Sequence, residues 1–171
     1  LEIDRVKSYE KVIEVINVAK NQPGGTIVID SITDFYEYCQ AYAKVKFLHI
    51  DPNDKLQYQF YWKYINSAYN NAIVKLMKSK LNVVLCARTK EEYAGPTPTG
   101  KFVPAWQKRT KFWCDLVLYN TIQTGGTENP TFMSEIIKSR GYKSLIGKKF
   151  INLNYVKLVE LIKSVELTKN A

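Results

Sequence analysis

Thr26-Ile27-Val28-Ile29-Asp30-Ser31 is an apolar run rich in β-branched residues, closed by a carboxylate and then a hydroxyl. Continuous apolar patterning of this length is that of a strand buried in a parallel α/β sheet. A side chain at the carboxyl end of such a strand faces the crevice where ligands bind. Asp30 is therefore the first candidate ligand-binding residue, and Ser31 is placed to cap the helix that follows.

Reading outward, Tyr9 to Lys20 carries Val12, Ile13, Val15, Ile16 and Ala19 on a helical stripe, with Ser8 as the expected N-cap. Pro23-Gly24-Gly25 ends that helix and turns the chain into the strand. Ser31 to Ala43 is again helical, and Phe47 to Asp54 is irregular, with Asp51-Pro52-Asn53-Asp54 as turn chemistry. Leu56 to Lys80 is the longest helix expected, with Phe60, Ile65, Ala68, Ala72 and Leu76 on its apolar face. Leu81 to Ala87 is a second continuous apolar run and is expected as a central strand. Arg88 to Lys111, with Gly95, Pro96, Pro98, Gly100 and Pro104, is expected as a long loop, a length that points to function or disorder.

Farther on, Cys114 to Asn120 and Phe132 to Ser139 are expected as strands, with a polar turn over residues 124–130 between them. Asn152 or Asn154 is placed to cap a last helix through Val165. No linker or repeat interrupts the pattern. Strands alternating with helices give an α/β fold, one domain over residues 1–171 with a mostly parallel sheet flanked by helices.

The 171 residues are enough for one domain with a real core. No apolar run approaches the roughly 18 residues that cross a membrane. The three cysteines, Cys39, Cys86 and Cys114, lack metal spacing and have apolar neighbours, as expected of reduced thiols in a cytoplasmic protein. A net charge of +9 favours polyanion partners such as nucleic acid; a Lys-rich surface kept for solubility fits the same number.

Ordered strand-end chemistry carries a resemblance. Asp30-Ser31-Ile32-Thr33 ends the first strand, and Ala87-Arg88-Thr89-Lys90 ends the second. Lys138-Ser139-Arg140 closes a later one. This order resembles the RecA-like P-loop ATPase core, and looks most like the phage and archaeal-virus branch of AAA/RecA-type ATPases. The resemblance covers roughly Tyr9 to Gly147. It implies that the first strand is a Walker B strand and that the intact protein uses ATP and Mg²⁺, with Asp30 on the metal and Ser31 assisting. It also implies that Arg88 senses the γ-phosphate and that Lys138 and Arg140 reach a neighbour's nucleotide site in a homo-oligomer. Each residue has a plainer reading as well. Asp30 and Ser31 are good helix caps, Arg88 stands at a strand exit, and the Lys138–Arg140 pair fits an exposed basic strand end.

The loop from Arg88 to Lys111 corresponds in position to a DNA-contacting loop of RecA-like proteins. It mixes Lys90, Lys101, Lys108, Arg109 and Lys111 with Trp106 and other aromatic rings. Cations on phosphates and rings on unpaired bases fit single-stranded DNA better than a base-reading helix does.

What the resemblance requires and the sequence lacks is a phosphate-binding loop. Gly141-Tyr142-Lys143-Ser144-Leu145-Ile146-Gly147-Lys148-Lys149 has one spacer residue too many, and Lys149 replaces the hydroxyl. The chain, which starts at Leu1, is expected to be the carboxyl-terminal part of a RecA-like domain, truncated or degenerate, and inactive as an ATPase alone. The alternative is a non-catalytic basic module for single-stranded nucleic acid or assembly on the same fold. The single histidine, His49, excludes multi-histidine metal sites, and no nucleophile elbow surrounds any serine.

Overall fold

The computed structural model describes residues 4–123 and 130–169, with side chains to residue 166. All but Pro130 of the polar turn expected over residues 124–130 lies outside the described residues. The chain divides into two compact units, Leu1–Lys108 and Arg109–Ala171. No Gly or Pro marks the division at Gln107-Lys108-Arg109, so composition gives no sign of it.

The first unit is built on three helices: α1 (Arg5–Ala19), α2 (Ile32–Phe47) and α3 (Trp62–Met77). α1 starts a turn earlier than the Ser8 cap predicts. Asp4 accepts from the Val6 and Lys7 amides, while the Ser8 hydroxyl donates to the Asp4 carbonyl inside the helix. α3 buries Ile65, Ala68, Tyr69, Ala72, Ile73 and Leu76, the spacing of one helical face. Tyr9 of α1 stacks on Tyr42 of α2 at 4.1 Å between ring centroids, and Phe35 of α2 meets Tyr69 of α3 at 6.0 Å. The core is thus helix against helix, with aromatic rings at its centre.

The helix expected from Leu56 is shorter. Tyr58 is extended, a 3₁₀ turn covers Gln59–Tyr61, and the α-helix begins at Trp62. Closely spaced Tyr and Phe side chains lose rotamer freedom against a preceding helical turn, so this segment gains little by continuing α3 backwards.

β1 (Thr26–Asp30) pairs in parallel with β2 (Asn82–Cys86), in a register that runs from Thr26↔Asn82 to Asp30↔Cys86. Both strands were expected to be buried. Instead they alternate: Ile27, Ile29, Val83 and Leu85 are half-buried, while Val28 and Val84 are exposed. β2 was expected to be central, yet among the described residues β1 is its only strand neighbour.

The expected long loop after Arg88 is a correction. β3 (Thr89–Ala94) and β4 (Thr97–Pro104) form an antiparallel hairpin, closed by Gly95-Pro96 with Gly95 at φ 65. Positive φ at the first turn residue is what a type II′ connection needs. Pro98, Gly100 and Pro104 argued for a loop, but a two-stranded hairpin has open edges on which proline loses no partner.

The second unit carries a three-stranded antiparallel sheet in the order β5 (Leu116–Gln123), β6 (Thr131–Ser139), β7 (Lys149–Ile151). A short helix α4 (Thr110–Trp113) precedes it, and α5 (Tyr155–Lys169) follows. Asn154 caps α5 as expected, accepting from the Lys157 amide at 2.9 Å. The fold is therefore mixed α/β. The mostly parallel sheet is corrected to one parallel pair beside antiparallel pairings, because β3–β4 and β5–β6 are sequential neighbours and sequential strands pair most cheaply as hairpins.

Candidate functional site

The parallel register brings the carboxyl ends of β1 and β2 to one edge of the first unit. Asp30 ends β1 opposite Cys86, and Arg88 follows two residues beyond Cys86. Asp30 is exposed, and its carboxylate makes no hydrogen bond or ion pair among the described residues. The Asp30 carboxylate and burial together push the Cys86 thiol above its ordinary value, burial contributing more. Such a thiol is a poor nucleophile.

The next residue turns the chain into α2. Ser31 accepts from the Asp34 amide at 3.2 Å, and its hydroxyl donates to the Asp34 carboxylate at 2.6 Å. Ser31 therefore caps, the plainer of its two readings, and this occupies its hydroxyl. Thr33 accepts from the Arg88 backbone amide at 3.1 Å. The Arg88 guanidinium forms an ion pair with the other Asp34 oxygen.

Asp34 is the residue the sequence reading missed. The signal was present as Ser31-x-x-Asp34, a capping-box spacing. The Ser31 hydroxyl first, and then Arg88, hold the Asp34 carboxyl below its usual value, and the same pairing pushes the Arg88 guanidinium up. The first turn of α2 thus latches the exit of β2, and the guanidinium is held by a carboxylate of that helix rather than left free.

No group of three or more His, Cys, Asp or Glu able to hold a metal occurs among the described residues. A lone, unpartnered carboxylate still fits Mg²⁺, which keeps several waters and takes one or two protein carboxylates together with substrate phosphates. Asp30 is the residue here with that character.

The expected nucleic-acid residues divide between the units. Lys90 and Lys101 are exposed on the β3–β4 hairpin, beside the exposed rings of Tyr93 and Phe102. Trp106 is half-buried and Lys108 is exposed at the end of the first unit. Arg109 and Lys111 belong to the second unit.

Lys138 lies on β6, and Arg140 follows its end. The Lys138 ammonium donates to the carbonyls of Lys111 at 2.6 Å, Phe112 at 3.4 Å and Cys114 at 2.6 Å. Arg140 donates to the Phe112 carbonyl at 2.7 Å and pairs with Asp115 at 2.8 Å. Both cations converge on the end of α4, where the last helical carbonyls need donors. All three Lys138 donors have acceptors, whereas Arg140 is exposed and keeps donors to spare.

No helix among the described residues is long and apolar enough to cross a membrane. Compared with known proteins, residues 1–149 match a family described as an AAA domain. Neither the curated proteins nor the solved structures give a match.

Proposed function

The chain belongs to the AAA domain family, whose members are ATPase-type domains, and from that premise we propose that it is the carboxyl-terminal part of a RecA-like ATP-binding domain acting on DNA. The observation that carries this reading is the Asp30↔Cys86 register, which brings Asp30 and Arg88 to the same edge of a parallel pair.

In this reading Asp30, whose carboxylate has no partner among the described residues, would hold Mg²⁺. Bound Mg²⁺ and ATP supply the phosphoryl-transfer chemistry. Arg88 is the phosphate sensor, and its ion pair with Asp34 supports that role by fixing the guanidinium at the first turn of the helix that follows Asp30. A phosphate anion offered there competes with Asp34 for the same donors. The sequence contains no Gly-x-x-x-x-Gly-Lys-Ser/Thr, so this reading assigns the phosphate cradle to no residue of this chain.

Arg140 is the member of the basic pair suited to act across a boundary between like copies, because Lys138 is committed to backbone carbonyls. The deciding experiment is Mg²⁺-dependent ATP hydrolysis by full-length protein carrying Asp30→Ala. Loss of hydrolysis with an unchanged circular dichroism melt is the expected result. Hydrolysis at the parental rate removes Asp30 from the site.

A second reading has its own observation. The β3–β4 hairpin presents Tyr93 and Phe102 to solvent beside Lys90 and Lys101, the mixture that binds single strands by stacking and phosphate contact. On that reading the chain is a non-catalytic module that binds single-stranded DNA in a salt-sensitive manner with no nucleotide requirement. Replacing Lys90 and Lys101 by Ala weakens such binding; unchanged binding removes the hairpin from the interface.

A further inference from the structure

We propose that the segment joining α2 to α3 is a pocket for one unpaired base of a single-stranded nucleic acid, separate from the β3–β4 hairpin. The proposal rests on the reading that the chain acts on nucleic acid, and it adds a contact region that this reading did not contain.

Packing leaves two aromatic rings of this segment, Tyr58 and Phe60, largely outside the core. Tyr58 is 54% exposed and Phe60 61%, and Trp62 and Tyr64 are exposed beside them in sequence. Clustered exposed rings of this kind mark interaction sites. They are also ordered against one another: Tyr58 stacks with Phe60 at 5.7 Å, and Phe60 meets Tyr61 edge-on at 4.5 Å. A preformed platform loses little freedom when a base stacks on it.

Beside the platform is a cavity of about 270 Å³ lined by Ile50, Asp54, Lys55, Gln57 and Tyr61. That volume is below the roughly 300–1,000 Å³ of pockets for drug-sized ligands, so it suits one flat ring system rather than a whole nucleoside triphosphate. Tyr61 and Ile50 offer apolar surface to the ring faces. The Gln57 amide both donates and accepts, while the Asp54 carboxylate only accepts, so a base with an exocyclic amino group is favoured over thymine. Lys55 and Lys63 are exposed and pair with no carboxylate among the described residues, which leaves them for phosphate. Asp51 and Asp54 keep a phosphate away from their own side.

The pocket wall is held in advance by Lys44. This buried ammonium donates to the carbonyls of Pro52 at 2.9 Å and Asp54 at 2.7 Å, while the Ile50 amide donates back to the Lys44 carbonyl at 3.1 Å. A buried cation spent on two backbone carbonyls of an irregular loop fixes the residues that line the cavity.

The test uses the 171-residue chain and a labelled deoxycytidine oligonucleotide, read by fluorescence anisotropy, with a photoreactive halogenated cytosine for cross-linking and mass spectrometry. Expected are cross-links within residues 55–64 and binding weakened about tenfold by Tyr58→Ala or Phe60→Ala, recovered by Tyr58→Trp. Lys55→Glu also weakens binding, with no change in the melting curve. Parental affinity in all these variants, with cross-links confined to residues 89–104, overturns the pocket and leaves the hairpin reading standing. No binding by the parent chain overturns both. Variants that change self-association in sedimentation while binding DNA normally make the patch a contact between copies and also overturn the proposal.

Discussion

Arg88 at the exit of β2 and Asp34 in the first turn of α2, 54 positions apart in sequence, form an ion pair. Arg88 is 62% exposed at its side chain and Asp34 31%, so water screens the attraction. Its weight is positional: it ties the guanidinium to the first turn of α2 while adding little to stability.

A double-mutant cycle with Asp34→Asn and Arg88→Gln measures this directly. Exposed pairs couple by about 0.2–1 kcal/mol, and urea unfolding of the four proteins is expected to give a coupling in that range. A coupling above about 2 kcal/mol, the scale of desolvated pairs, would assign the pair to the folding core instead.

Acid dependence follows from the direction of the Asp34 shift. Its carboxyl is held below the ordinary value of 3.8, first by Ser31 and then by Arg88. The unfolded chain therefore takes up this proton at higher pH than the folded chain does. The stabilisation is fully present above about pH 4 and is lost as pH falls through the lower folded value. Urea midpoints followed from about pH 6 to about pH 2 should fall more steeply for the parent than for Asp34→Asn. Parallel curves would mean that the pairing is absent in solution.

Sequence patterning located the elements better than it located their partners. The apolar runs ending at Asp30 and Cys86 are strands, and Ser31 and Asn154 cap the helices assigned to them. Pairing depends on which strands meet, and a continuous apolar run is equally compatible with the half-exposed β1–β2 pair observed here. The hairpin at residues 89–104 was hidden because Pro98, Gly100 and Pro104 break a strand pattern unless the edges are open, a property of the tertiary structure. Lys44 gave no signal at all. A lysine on a helix reads as surface, and only the return of residues 50–54 over it makes it buried.

Lys44→Met tests that burial. The substitution keeps the apolar stem but leaves the Pro52 and Asp54 carbonyls without their donor, for an expected cost of about 1–3 kcal/mol. Amide exchange should accelerate at Asn53 and Asp54 while the amides within α3 keep their protection. Asp54→Ala should leave this protection in place, because the acceptor is the backbone carbonyl and not the carboxylate.

Lys138 and Arg140 should separate by the kind of defect they cause. Lys138 satisfies three carbonyls around the end of α4, so Lys138→Met is expected to cost about 1.5–3 kcal/mol, read as a lowered urea midpoint. Arg140 is exposed and its partner Asp115 more so, so Arg140→Ala should cost about 1 kcal/mol or less. On the proposed ATPase reading the order reverses for hydrolysis. A cation supplied from a neighbouring copy contributes about 10³–10⁵ in rate, so Arg140→Ala should abolish turnover with the fold intact. Mixing Arg140→Ala subunits with Asp30→Ala subunits should restore part of the activity, since some boundaries then pair an intact Asp30 with an intact Arg140. Mixtures no more active than either variant alone would place both residues in one copy's site.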